Sequence, residues 1–594
     1  MREWISRAAM LLGLVLLPLL TPGAALGQAA EPANPGTTPA ERWLWDRLRG
    51  PLPRPEFAVT MADNCQGAAA DPAQPEDPGW ADPCRAVTAE FLELILSREP
   101  WRDQLPRRGL RLQNLRVVGA LDLSALVVAV EVWLDASLFT DQVTLTGAKF
   151  EKTLTFDGSR LDGGFYADQL QVGGNLQLSG GAHVGCRATA EGNCGWMVLS
   201  AATIGGDLRL EGSSIATGLA ADDLTVTGSL MLSGTSIEGG LVGAGLRVAR
   251  SMFLDRGAEL GCRPAAPGQG CDALVLRNAT IEGQLAITEA VLGGNLQANS
   301  IKVRNHLQLR DTVLRNPAGT RVNLANARID GDLDLTNAAL QQVTLASAVI
   351  GGDLQLSTDQ RPAPRWAPDA TLSLRNAHAA AVQGGLAPDN HAWPAVLELQ
   401  GFVYDRLGGG SLDAVDPTMA RPTAELVGWL ARDRSFTRQP YQQLAGVFTT
   451  AGDPNRATDI LFAARYREEL LGWEAGEWWD AAGLAALRVT IGYGLGYKFF
   501  RVLWWVLGFC VLGTLVLLCC RAGREKGLLW CFGASLDQLI PFATLSPEFA
   551  PFFDDPRRER LAGWQVAFFG VQSLVGFVLG GFVGAGLGGL TQAN

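Results

Sequence analysis

Ten cysteines and four histidines are the residues of this chain best suited to chemistry. Cys65, Cys84, Cys186, Cys194, Cys262 and Cys271 lie in polar, Pro/Gly-rich stretches and form three local pairs. Behind an export signal such pairs read as disulfides, Cys65–Cys84, Cys186–Cys194 and Cys262–Cys271. Zinc is the poorer reading, because no CxxC or HxxxH spacing accompanies them. The remaining Cys510, Cys519, Cys520 and Cys531 sit in or beside a C-terminal apolar region. His183, His306, His378 and His391 offer no pair at ligand spacing. Gly-Gly-Asp at 205–207 and 351–353 would suggest a calcium β-roll only if GGxGxD recurred about every nine residues, so these are read as turns. There is no GxSxG or GxGxxG in a strand–turn–helix setting. Gly492-Tyr493-Gly494 is similar to a potassium filter, but it precedes the first apolar helix, whereas a filter lies between two. No catalytic residue, metal or cofactor is therefore expected. An enzyme with carboxylates drawn from different turns is the alternative.

Both ends of the chain speak to where these residues reside. Arg2 and Arg7, the apolar run Ala8 to Leu20, the break at Pro22-Gly23 and small residues at Ala25-Leu26-Gly27 read as a cleaved signal peptide. Val502 to Cys520 is uncharged and long enough to cross a bilayer, and Ala562 to Leu590 is a second such stretch. Arg521, Arg524, Lys526, Arg557, Arg558 and Arg560 lie between them, which by the positive-inside rule makes that connection cytoplasmic. The orientation puts everything before Val502 outside, as the export signal requires. Charged residues are 18% of the chain, below the soluble average of about 25%. The net charge of −11 argues against a nucleic-acid partner. Gly576, Gly580, Gly584 and Gly588 form a stripe at four-residue spacing, suited to close helix packing within one chain or between copies.

The centre of the chain repeats every eleven residues. An aliphatic or aromatic lead falls at Val117, Val128, Phe139, Phe150, Leu161 and Val172, then at Ile204, Ile215, Val226, Ile237 and Val248, then at Ile281, Leu292 and Val303. Leu-x-Leu follows, as in IGGDLRL from Ile204 and IDGDLDL from Ile329. Eleven-residue helical coiled coils exist, but the frequent glycines of the units would cost a helix about 1 kcal/mol each, and period two belongs to strands. Leu210, Ala221, Leu232, Gly243 and Leu254 alternate large and small, while Ser213, Leu224, Thr235 and Leu246 alternate in the opposite phase. Alternation at twice the unit predicts two non-identical halves per turn. The expected fold is mainly β: a right-handed parallel β-helix of 11-residue half-turns. About eleven turns at ~4.8 Å would form a rod of roughly 50 Å. The pairs 186/194 and 262/271 would close loops on one side of it.

Solenoid ends need caps. Glu41 to Leu48 and Ala86 to Leu96 are expected as helices before the rod, and LSLRNA from Leu372 and LELQGF from Leu397 as its last strands. Two helices around Gly452-Asp-Pro454 then form a tetratricopeptide-like hairpin. Arg108-Gly-Leu110 through Leu123, Gly401-Phe-Val-Tyr-Asp-Arg-Leu407 and Gln439-Pro-Tyr-Gln-Gln-Leu-Ala445 together resemble a group of largely uncharacterised bacterial membrane proteins. These have Gly-rich solenoid repeats, a helical hairpin and paired membrane helices, and some are labelled membrane-associated oxidoreductases. The units are similar in flavour to pentapeptide repeats but depart from them in length. The expected organisation is a signal peptide over 1–27, an N-terminal helical cap with a disulfide loop over 28–116, and a solenoid over 117–410. A hairpin and juxtamembrane segment (420–490), membrane helices at 499–521 and 562–590, and a cytoplasmic loop (522–561) complete it. The expected function is a non-enzymatic binding or scaffolding module on the bacterial inner membrane, its large domain in the periplasm. Its partners would be the bilayer, an envelope protein or glycan, and another copy through the glycine stripe. An envelope enzyme is the first alternative and a channel-like two-helix protein the second.

Overall fold

The structure is a computed structural model that describes residues 33–50, 58–185, 195–264, 266, 268–316, 319–358, 360–384, 392–408, 417–540, 544–554 and 561–587. The signal peptide, Cys186, Cys194, His391, Arg557, Arg558, Arg560 and Gly588 lie outside the described residues.

The chain winds into a parallel β-solenoid of about 12 turns. One turn carries four short strands, for example Lys149–Phe150, Leu154–Thr155, Arg160–Leu161 and Phe165–Tyr166. Register defines the turn: Lys149 pairs with Gln171, Leu208 with Leu230 and Leu219 with Leu241, each 22 residues apart. Leu210, Leu232 and Leu254 therefore stack in one buried ladder, Ala221 and Gly243 in another. Ser213 and Thr235 enter the core as hydroxyls satisfied by Leu210 O, at 2.6 and 2.5 Å.

The glycine content has a geometric cause. One corner per half-turn is left-handed, at Asn114, Ala125, Ala136, Gly147, Gly158, Gln169 and Gly180, each eleven residues on. Glycine and asparagine enter that region at low cost, whereas alanine costs roughly 1–2 kcal/mol.

The rod begins earlier than the lead at Val117. Val59–Thr60 pairs with Leu112-Gln113, and Ala86–Thr88 with Arg116–Val118, so a two-strand coil precedes the first repeat. The expected helix from Ala86 thus starts at Ala89, because residues 86–88 are held in the sheet. Helix α1 (Pro39–Arg49) and α2 (Ala89–Ser97) bury Leu44, Trp45, Phe91 and Ile95 over this end.

At the far end Arg365–Ser373, His378–Gln383, Val396–Glu398 and Val403–Leu407 are the last strands. They are followed by α3 (Thr423–Leu430), α4 (Gln439–Thr450), α5 (Pro454–Ala475) and α6 (Trp478–Ile491). Then come α7 (Arg501–Cys519), α8 (Arg521–Lys526), α9 (Leu528–Leu539), α10 (Ala550–Phe553) and α11 (Gly563–Leu587). Helices α7 and α11 are long and apolar enough to cross a membrane.

Candidate functional site

Three places combine polar groups with accessible space: the junction of rod and helices, one outer strip of the rod, and the helical anchor. The junction comes from α4. A solenoid's last coil leaves carbonyls and amides without a next strand, and glutamine carries both a donor and an acceptor. Gln439 accepts from Gly401 N at 2.9 Å and donates to Phe402 O at 3.0 Å, and Gln443 donates to Tyr404 O at 2.6 Å. Asp433 accepts from Leu399 N at 2.9 Å. Phe402, Tyr404, Trp393 and Trp429 pack beside them, Trp393 and Trp429 with ring centroids 5.2 Å apart. Burial pushes the Tyr404 hydroxyl well above the ordinary phenol range. The Gly401–Leu407 and Gln439–Ala445 motifs therefore meet as a cap. A cavity of about 580 Å³ beside them is lined by Tyr404, Asp405, Gln439, Gln442 and Gln443, among others. Two glutamines at i and i+4 after the last repeat are the sequence signal that could have marked this cap.

On the rod, Arg247, Thr280, Lys302 and Arg328 are in register on four successive turns. The position two residues on carries Glu282, Arg304 and Asp330, with Arg304 Nε 2.7 Å from Glu282 and Arg328 Nε 3.4 Å from Asp330. Among the described residues Arg247 and Lys302 have no carboxylate within 4.0 Å. A shallow cavity of about 300 Å³ lies between Thr280, Glu282, Lys302, Arg304, Arg328 and Asp330. Lys302 and Arg328 stand on successive coils at the strand spacing of about 4.8 Å, with Thr280 between Lys302 and Arg247, so the strip offers a short run of cations suited to an anion's oxygens.

No family description, curated protein or solved structure matches the chain. The coil geometry and the side chains themselves carry the reading. Cys65 and Cys84 are at disulfide distance with Cα atoms 5.4 Å apart, as are Cys262 and Cys271 at 5.8 Å. The 262/271 loop leaves the rod between Glu259–Leu260 and Asp272–Val275. The described strands flanking 186–194, His183–Val184 and Met197–Val198, occupy the same corner three turns earlier. Cys510, Cys519, Cys520 and Cys531 are unpaired. Among the described residues no three His, Cys, Asp or Glu side chains converge on a point. His306 faces Asp332 at 3.3 Å and His378 faces Asp405 at 3.7 Å.

In the anchor, Gly576 is buried and its Cα lies against the carbonyl of Leu539 on α9. Gly580 is half-buried, and Gly584 is exposed with open space where a Cβ would stand. Gly492-Tyr493-Gly494 is a turn between α6 and α7. Tyr493, in the left-handed region at φ 58°, donates its hydroxyl to the buried Glu469 at 2.5 Å. Burial, and then that carboxylate, push the phenol above its ordinary value. Exposed apolar side chains cover α7 and α11, including Leu503, Leu515, Leu574 and Phe577.

Proposed function

We propose that this chain is a membrane-tethered, non-enzymatic binding or scaffolding rod of the bacterial envelope. Its signal peptide is removed on export, and the solenoid stands in the periplasm on the inner membrane. The observation that carries the reading is a rod whose last coil is closed by the glutamine cap in a chain that also has two helices apolar enough to cross a membrane. A rod so fixed is held at a defined place relative to the bilayer. Lipid-facing side chains on α7 and α11, cysteine pairs at disulfide distance and basic residues in the α7–α11 connection all fit that placement. The binding face is the strip of Arg247, Lys302, Arg304 and Arg328, and the partner is an acidic envelope protein or glycan.

Crosslinking in intact cells, followed by purification from membranes, tests the proposal. The expected result is a discrete partner captured by the native chain and lost from Arg247→Glu/Lys302→Glu/Arg328→Glu, which keeps the buried core. Equal capture by both would remove the strip from the reading. Recovery of the rod from the cytoplasmic soluble fraction would remove the reading itself.

A further inference from the structure

The connection between the two spanning helices does not simply pass from one to the other. Helix α9 has 12 residues, about 18 Å at ~1.5 Å per residue, too short for a hydrocarbon core of about 30 Å. It is packed between α7 and α11. Gln572 of α11 donates to Ser535 O and Oγ, both at 2.9 Å, and Gly513 of α7 lies against the same two side chains. Gly513 is six residues from the end of α7 and Gln572 nine residues into α11, or about 9 and 13 Å from their loop-side ends. Leu539, at the end of α9, meets Gly576, about 20 Å into α11. Further along the chain, Leu545 N donates to Asp537 Oδ1 at 2.6 Å, and Phe549 and Phe552 stack on Trp530, 5.4 and 4.9 Å away. Helix α9 therefore enters the anchor from the connection side and stops near mid-depth, and the described residues from Thr544 onward lie back against it.

This path carries polar groups to a depth where lipid can satisfy none of them. Asp537 is buried, Gln538 is half-exposed and Thr544 is exposed. Re-entrant backbone at such depth persists where protein buries it or where it lines water. Ionisable residues inside a membrane likewise face a bundle interior or an aqueous cavity. The exposed side of Gln538 and Thr544 is uncovered by any described residue. We propose that Gln538 on α9 and Thr544 on the segment packed back against it border a water-filled cavity open to the connection side, with Asp537 at its inner wall. The proposal rests on the reading that α7 and α11 cross a bilayer.

The test uses the full chain in membrane vesicles, with Cys510, Cys519, Cys520 and Cys531 replaced by serine. Thr544→Cys, Gln538→Cys and Leu574→Cys are introduced singly, Leu574 being 66% exposed on α11 at comparable depth. Each is treated from the connection side with a membrane-impermeant cationic methanethiosulfonate. Carbonate extraction confirms membrane integration, and Gln538→Cys stands in should Thr544→Cys fail to integrate. Labelling at Thr544→Cys or Gln538→Cys at least tenfold faster than at Leu574→Cys is the expected result. Rates as slow as that of Leu574→Cys would overturn the cavity, placing lipid or a second copy over Gln538 and Thr544. Fast labelling at all three would overturn the membrane reading beneath it.

Discussion

Glu41 holds the N-terminal cap together through a single carboxylate. Burial opposes its charge, yet donors from Thr88, Thr38 and Thr37 outweigh burial and hold the carboxyl down to about 2. A depressed carboxyl contributes stability above its unfolded value near 4.5 and loses it as pH falls towards 2. Glu41→Gln is therefore expected to destabilise the protein by about 2–3 kcal/mol at pH 7, the gap to the native chain narrowing below pH ~4.5 in urea melts. Asp135 behaves in the opposite way. Burial first, and then the charge of Asp157, raise it to about 6 against the hydrogen bonds from Thr155 and Asp157 N. A raised carboxyl costs stability above its folded value and is neutral below the unfolded one. Asp135→Asn is expected to stabilise by about 1–2 kcal/mol above pH ~7 and to change nothing near pH 3.5. A gain that persisted at the lower pH would assign it to packing rather than charge.

At the scale of the element, a coil is defined by what its two halves bury. Leu232 is 1% exposed between Leu210 and Leu254, so Leu232→Ala should cost about 2–5 kcal/mol. Gly243 sits in the narrower ladder, where a Cβ would lie 3.4–3.5 Å from Leu241, Ala221 and Leu246. Alanine fits that space and leucine overfills it. Gly243→Ala should be tolerated and Gly243→Leu should cost about 1–3 kcal/mol. Thermal unfolding of the two variants checks this, and equal midpoints would contradict the two-sided coil. The corners obey a different rule, since backbone conformation rather than volume limits them. Ala136, at φ 45°, carries the left-handed penalty, and Ala136→Gly should stabilise by up to about 1 kcal/mol.

For the whole molecule the decisive relation is which side of the bilayer each part occupies. A reporter fused after Leu407 is expected to be active only outside the cytoplasm, and one after Lys526 only inside. The reverse at either position would overturn the proposed orientation. Peptide mapping without reductant should recover Cys65 with Cys84 and Cys262 with Cys271, because their Cα atoms are 5.4 and 5.8 Å apart. Recovery of these four as free thiols would place the rod in a reducing compartment.

The solenoid, its 22-residue coil and the two apolar helices were legible in the residues themselves. Period-two leucines, alternating side-chain volume and glycine-rich corners are local quantities, and the bilayer sets a length that a run of apolar residues either meets or misses. The extra coil at Val59 and Ala86 was not legible, because its two strands lack the repeat and are recruited only by pairing with Leu112 and Arg116. Nor was the role of Gln439 and Gln443, which depends on where α4 meets the last open edge. The strip of Arg247, Lys302 and Arg328 was equally hidden, since insertions of different length separate residues that register brings side by side. The depth of α9 likewise exists only in three dimensions. Its sequence is apolar enough for many environments, and contacts with Gly513, Gln572 and Gly576 choose among them, because close approach needs the missing Cβ of a glycine on a different helix.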